Sequence, residues 1–138
     1  MTRTQRMNAT DVAQRAGAAR AYVQIAEESF LLALTSSGPS ADAQASAANS
    51  VLAGIAASDA ICGKALGQRA AGQDHAVAPR MLADVVPDGS RIGRKLGRLL
   101  SDKTQAQYGN YCTTAKAESM LKLARDLIES MSSVHHIR

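Results

Sequence analysis

One alanine-rich segment, from Ser40 to Arg69, constrains this chain more than any other feature, because it is long and contains no proline. Alanine is the best helix former and offers little apolar surface per residue, so the segment predicts a long helix packed closely against its neighbours. A sheet would call for valine, isoleucine, threonine and aromatic residues, and aromatic residues make up only 3% of the sequence. The chain is therefore expected to be all-α.

Four further segments have helical periodicity, and turn residues separate them. Their predicted bounds, in chain order, are Thr10 or Asp11 to Leu34, His75 to Val85, Ser90 to Gln105, and Thr113 or Thr114 to Met131. Short turns between long helices favour antiparallel neighbours. We expect an antiparallel up-down bundle of four to five helices. It forms a single domain over 1–138, with a core over about 10–131 and frayed ends at 1–9 and 132–138.

Composition also restricts the compartment and the partners. The formal net charge of +4 favours phosphate-bearing partners without identifying one. Cys62 and Cys112 have neither a metal-ligand nor a redox spacing, so reduced thiols in a cytoplasmic protein are expected, with no metal or cofactor. No apolar run follows the N-terminal arginines, which predicts no signal peptide, and no segment is predicted to span a membrane. One phenylalanine and no tryptophan imply a thin core, which favours a homodimer.

The predicted second helix carries a charge where its pattern requires an apolar residue. Its apolar face recurs at steps of three and four residues, at Leu52, Ile55, Asp59, Cys62 and Leu66. The fourth helix does the same with the opposite sign, because Lys103 continues its apolar stripe. A buried carboxylate requires a partner, so we predict that Asp59 contacts Lys103 near the bundle interior. The contact would be either a structural ion pair that fixes helix register or part of a polar functional pocket.

Two further groups of residues are candidates for binding or chemistry. The outward face of the fourth helix has no acid among its cations, so it is either a phosphate-binding ridge or a solvated surface; its residues are Arg91, Arg94, Lys95 and Arg98. After the second helix, His75 follows Asp74 at a predicted helix start. Two interpretations of His75 remain open. It is a general acid or base, or it is an exposed histidine next to a helix cap.

Three short stretches together resemble a bacterial HEPN domain, the higher-eukaryote and prokaryote nucleotide-binding helical bundle. They are Ala57–Cys62 (ASDAIC), Gly67–His75 (GQRAAGQDH) and Lys103–Tyr108 (KTQAQY). The resemblance covers about Arg20 to Met131, and the chain is similar in particular to short actinobacterial members of the family. It implies a four- or five-helix bundle, usually dimeric, with RNA or a nucleotide bound in a cleft near the dimer seam. Many members are ribonucleases of toxin–antitoxin or defence systems, so a partner antitoxin is also implied.

The family's metal-independent site is an arginine, four to six residues, and then a histidine. At the matching position this sequence has Lys103 and Tyr108, and tyrosine, with a pKa near ~10, is a poor base at neutral pH. Arg69 and His75 repeat the pattern after the second helix. If the two regions converge, Asp59, His75, Lys103 and Tyr108 would form one catalytic site.

In that arrangement Arg69 and the basic ridge would hold the RNA phosphates. The motif leaves ribonuclease activity open. The alternative function is a non-enzymatic dimeric interaction module in which Asp59 and Lys103 are structural.

Overall fold

The structure is a computed structural model that describes residues 3–71, 77–103 and 109–138. Its elements, in chain order, are β1 (Thr4–Arg6), α1 (Ala9–Ala33), α2 (Ala41–Leu66), β2 (Gln68–Ala70), α3 (Val77–Ala83), α4 (Gly89–Ser101), α5 (Thr114–Glu129) and a π-helical turn (Ser130–Val134). The prediction of a helical chain is confirmed, and the structure is 74% helical. The small β1–β2 sheet was not predicted.

The four long helices alternate in direction. The contacts that each of the other three makes with α5 show this. α1 and α4 run one way, and α2 and α5 run the other way. These contacts are Ala33–Thr114 and Arg20–Ile137 for α1 with α5, Ser40–Cys112 and Lys64–His135 for α2 with α5, and Asp88–Ser130 and Asp102–Lys116 for α4 with α5.

Helix α1 begins two or three residues earlier than the sequence predicted. The Asn8 side chain accepts a hydrogen bond from the Asp11 backbone N–H (2.8 Å), and the Asp11 carboxylate accepts one from the Asn8 N–H (2.9 Å). This reciprocal capping box makes Asn8 the N-cap and places Asp11 in the first turn. The prediction that Thr10 or Asp11 caps the helix was therefore wrong.

Helix α2 is shorter than predicted, because Gly67 ends it. The Ser40 hydroxyl caps the helix start at the Ala43 N–H (3.1 Å). Gly67 has a φ of 75°, a left-handed conformation that glycine adopts at helix ends without steric cost. The chain then enters β2, so Arg69 lies in a strand rather than at the end of the helix. Strand β2 pairs antiparallel with β1, with Gln5 opposite Arg69.

Helix α2 forms the centre of the core. Its small residues allow the other helices to approach closely, and Gly54 lies directly against Leu99 of α4 and Leu127 of α5. By length and composition α2 could cross a membrane, but 72% of its most apolar window is buried within the fold. It therefore has the character of the core helix of a soluble protein.

The predicted bounds of the later helices are correct only in part. Thr113 caps α5 by accepting from the Lys116 N–H (3.1 Å), as one of the two predicted alternatives. The predicted Ser90 cap is wrong, because α4 begins at Gly89 and Asp88 holds the N-cap position. α4 also ends at Ser101 rather than Gln105. α3 spans Val77–Ala83, and the predicted cap of this helix at 74 lies outside the described residues.

The chain ends are packed rather than frayed. The Arg20 guanidinium donates to the Ile137 carbonyl (2.6 Å) and to the Ser132 hydroxyl (3.1 Å), and the Ile137 N–H donates to the Met131 carbonyl (3.0 Å). Ile137 is only 5% exposed. At the other end, β1 is paired with β2. The prediction of frayed ends at 1–9 and 132–138 was therefore wrong for the residues that the structure describes.

Candidate functional site

Asp59 faces the interior of the bundle, as its helical position predicted, and it is 4% exposed. Its partners are two arginines from different elements. The Arg15 Nη2 atom of α1 lies 3.2 Å from the Asp59 Oδ2 atom, and the Arg69 Nη1 atom of β2 lies 3.7 Å from the same oxygen. We call these three residues the Asp59 cluster. It joins α1, α2 and the small sheet at one carboxylate.

The predicted contact between Asp59 and Lys103 was wrong, since the ion pairs of Asp59 within the described chain are with Arg15 and Arg69. The reason is the antiparallel direction of α2 and α4. From the point where Leu99 meets Gly54, Asp59 lies five residues along α2 and Lys103 lies four residues the other way. At about 1.5 Å per residue, Asp59 lies about 7.5 Å from that point in one direction along the bundle, whereas Lys103 lies beyond the end of α4 in the other direction.

Burial dominates the electrostatics of the Asp59 cluster. Loss of solvent raises the pKa of Asp59 from 3.8 to about 6, and the nearby guanidinium groups of Arg15 and Arg69 only partly offset this. Asp59 is therefore an ionised partner at neutral pH and protonates in mild acid. Burial also raises the pKa of the Cys62 thiol to about 12, so Cys62 is an inert apolar residue.

The two arginines of the cluster border a small cavity of about 180 Å³ under the sheet. Arg69 also donates to the Gln5 side chain (2.7 Å), which connects β1 to the cluster. The Arg15 Nε atom is buried and has no hydrogen-bond partner in the described part of the chain. Sequence reasoning missed Arg15, although its position four residues before the buried Ala19 places it beside the core face of α1.

The four predicted cations of α4 do lie together and line one open groove of about 360 Å³; they are Arg91, Arg94, Lys95 and Arg98. We call this surface the α4 cationic face. Arg69 does not line this groove, because Arg69 is directed toward Asp59 and Gln5.

Two of these cations have acidic partners, which come from outside the acid-free stretch of sequence between residues 91 and 98. Arg91 makes a bidentate contact with Asp88 (2.7 and 2.8 Å), and Lys95 pairs with Asp126 of α5 (2.8 Å). The Arg91 hydrogen bonds hold the pKa of Asp88 below its usual value. These acids orient the two cations and halve the net charge of the face.

The remaining two cations are available to a ligand. Arg94 contacts only the neutral Ser90 hydroxyl (3.1 Å), and the Arg98 guanidinium has no polar partner among the residues described. Both side chains are exposed. The predicted catalytic residues His75 and Tyr108 lie outside the described residues. Within the described ranges, no group of three histidine, cysteine or acidic residues is arranged to hold a metal ion.

The sequence matches no known family model, no curated protein and no solved structure. The fold and the site therefore define the class of protein directly. It is a helical domain with a buried aspartate paired to two partly exposed arginines at one position and a cationic groove on α4.

Proposed function

We propose that this domain binds RNA through the phosphates that contact the α4 cationic face. The observation that carries the proposal is that every described side chain lining this groove is a cation. The resemblance to HEPN domains, whose members bind RNA or nucleotides, supports the same ligand class. The free, buried thiols of Cys62 and Cys112 fit a reducing, cytoplasmic location, where RNA is available.

The geometry favours a chain of phosphates over a single one. Arg91, Arg94 and Arg98 follow one another at intervals of three and four residues, or about one helical turn of roughly 5.4 Å. Such an open linear array can contact successive phosphates, whereas a mononucleotide would leave most of it unused. Asp88 holds Arg91 in position, so this cation loses little conformational entropy when it meets a phosphate.

The proposal concerns binding and not catalysis. The catalytic hypothesis depends on His75 lying beside Lys103, and His75 is outside the described residues. Of the other predicted catalytic residues, Asp59 pairs with Arg15 and Arg69. Asp59 thus has structural ion-pair partners within the described chain.

The test is a salt titration of binding to labelled single-stranded RNA between about 50 and 200 mM KCl. The double variant Arg94→Gln/Arg98→Gln should lower the slope of log affinity against log salt by about 1.4, or about 0.7 per lost phosphate contact. Arg125→Gln is the matched control, because Arg125 is an exposed arginine of α5 that pairs with Glu27 of α1. An unchanged slope in the double variant, or an equal change in the control, would contradict the proposal.

A second candidate function, the dimeric interaction module, is favoured by the outer face of α1. Four large apolar side chains in the second half of α1 and at its C-cap are 45–64% exposed: Ile25, Leu31, Leu32 and Leu34. Ile25 and Leu32 are seven residues apart and therefore share one face of the helix. A second copy of the chain is the proposed occupant, because burying this apolar face would add to a thin, alanine-rich core.

Sedimentation velocity tests this second candidate. Leu32→Glu should convert a dimer to a monomer, while Val86→Glu, at an exposed apolar site in the turn between α3 and α4, should leave the dimer intact. A wild-type monomer at all concentrations would exclude it.

A further inference from the structure

A second cavity, separate from the α4 cationic face, lies between the start of α1, the end of α2 and the packed C-terminal residues. Its volume is about 400 Å³, which is within the range of small-molecule sites. Its lining residues are Met7, Asn8, Ala9, Val12, Ala13, Gly63, Lys64, His136, Ile137 and Arg138. None of these residues belongs to the Asp59 cluster or to the α4 cationic face.

The body of the cavity is apolar, and Gly63 fixes its shape. A Cβ atom at Gly63 would come within 2.8 Å of the Met7 sulfur and 2.9 Å of a Val12 methyl group. The absence of a side chain there allows α1 to approach α2 and brings Met7 and Val12 into the cavity wall. Ala13 and Ile137 extend the same apolar surface.

The edge of the cavity is cationic. Lys64 donates one hydrogen bond to the His135 carbonyl, which fixes the ammonium group and leaves two of its three N–H donors for a ligand. His136 and Arg138 also line the cavity, and no acidic side chain does. The charge of this edge is complementary to an anion.

The cavity wall also contains strained backbone. His136 has a φ of 55°, in the left-handed region that non-glycine residues rarely adopt. The surrounding contacts hold it there, because the Arg20 guanidinium and the Met131 carbonyl bind the next residue, Ile137. Strain of this kind, held by well-formed neighbours, is concentrated at ligand sites.

We propose that this cavity binds a small amphipathic carboxylate, with its head on Lys64 and its short apolar body against Met7, Val12 and Ala13. This binding is independent of the RNA-binding surface. A body of a few methylene groups fits the cavity volume, and the single ammonium group supplies the charge-assisted contact that selects the head.

The probes are octanoate and its neutral counterpart 1-octanol, followed by amide chemical shifts in the full chain. Octanoate should shift the amides of Met7, Val12, Ala13 and Gly63. Lys64→Met should weaken octanoate binding about tenfold, as expected for loss of a hydrogen bond between charged groups, and should leave octanol binding unchanged. Lys122→Met is the matched control, because Lys122 is an exposed lysine of α5 that pairs with Glu118.

A second variant keeps the Lys64–His135 contact intact. Ala13→Phe fills the cavity from the exposed side of α1 and should weaken octanoate and octanol alike. Three results would overturn the proposal: no shifts with octanoate up to about 10 mM, shifts confined to the exposed leucines of α1, or equal binding of octanoate to wild type and Lys64→Met.

Discussion

Arg15 and Asp59 form an ion pair across the α1–α2 interface, with 3.2 Å between the guanidinium nitrogen and the carboxylate oxygen. The Asp59 side chain is almost fully buried, whereas Arg15 is about one-third exposed. Arg69 reaches the same oxygen from β2. One carboxylate thus sets the register of two long helices and attaches the sheet to them, so its effects on stability can be measured separately from any binding function.

Removal of Arg15 should destabilise the protein more than removal of the whole pair. Arg15→Met leaves Asp59 with only the longer Arg69 contact, and we expect a loss of about 2–3 kcal/mol in the free energy of unfolding, measured by urea denaturation. Asp59→Leu in the same chain should recover most of this loss, because no uncompensated buried charge remains. Arg125→Met, which breaks an exposed pair with Glu27, is the control and should cost less than about 1 kcal/mol. Additive effects of Arg15→Met and Asp59→Leu would refute the coupling.

The raised pKa of Asp59 predicts a pH dependence of stability with a definite sign. The folded pKa of about 6 lies above the unfolded value of 3.8, so between these values the folded state binds more protons. The contribution of Asp59 to stability is therefore fully present below about pH 4 and is lost as the pH rises through 6. The shift corresponds to roughly 3 kcal/mol.

Asp59→Asn removes this titration and supplies the comparison. The difference in unfolding free energy between wild type and Asp59→Asn should change in favour of wild type as the pH falls from 7 to 4. Using the difference cancels the other carboxyl groups, including Asp88, whose lowered pKa acts in the opposite direction. A difference that stays constant over this range would show that Asp59 does not titrate there.

Helical periodicity was sufficient to predict the inward position of Asp59, but it could not identify the partners of Asp59. Arg15 is 44 positions away along the chain, and its contact depends on how α1 packs on α2. Arg69 contacts Asp59 only because Gly67 ends α2 and the next three residues pair with β1. Two three-residue strands carry no periodic pattern, so nothing in the local sequence indicated this sheet.

The same distinction applies to the charges of α4. Their spacing correctly predicted one cationic face, because α-helical geometry is local. The acids that pair with that face were not predicted: Asp88 turns back onto it from the N-cap position, and Asp126 comes from another helix. The predicted contact of Lys103 with Asp59 was wrong for a related reason, because that contact depends on the direction of α4 relative to α2. Local sequence patterns predict which residues share one face of a helix, whereas the ion-pair partners of those residues depend on how the helices pack together.

The packed C-terminal residues should depend on Arg20. Arg20→Met removes hydrogen bonds to the Ile137 carbonyl and the Ser132 hydroxyl, and we expect a loss of about 1–2 kcal/mol in unfolding free energy. Hydrogen exchange at the Ile137 amide, which donates to the Met131 carbonyl, should become faster than exchange in α2. Arg98→Met, at an exposed arginine, is the control. Unchanged protection at Ile137 in Arg20→Met would mean that other contacts hold these residues in place.

The close approach of three helices at Gly54 should make this position intolerant of even one methyl group. A Cβ atom there would collide with a Leu99 methyl group and lie 3.2 Å from a Leu127 methyl group, and both leucines are fully buried. Overpacking should cost more than the roughly 1 kcal/mol that alanine gains over glycine in a helix, so Gly54→Ala should lower stability by about 1–2 kcal/mol. Gly17→Ala in α1 is the matched control, because nothing lies within 4 Å of a Cβ atom at that position. That variant should be stabilised by up to about 1 kcal/mol. Equal thermal unfolding temperatures for the two variants would contradict the close packing of α2 against α4 and α5, on which the described core depends.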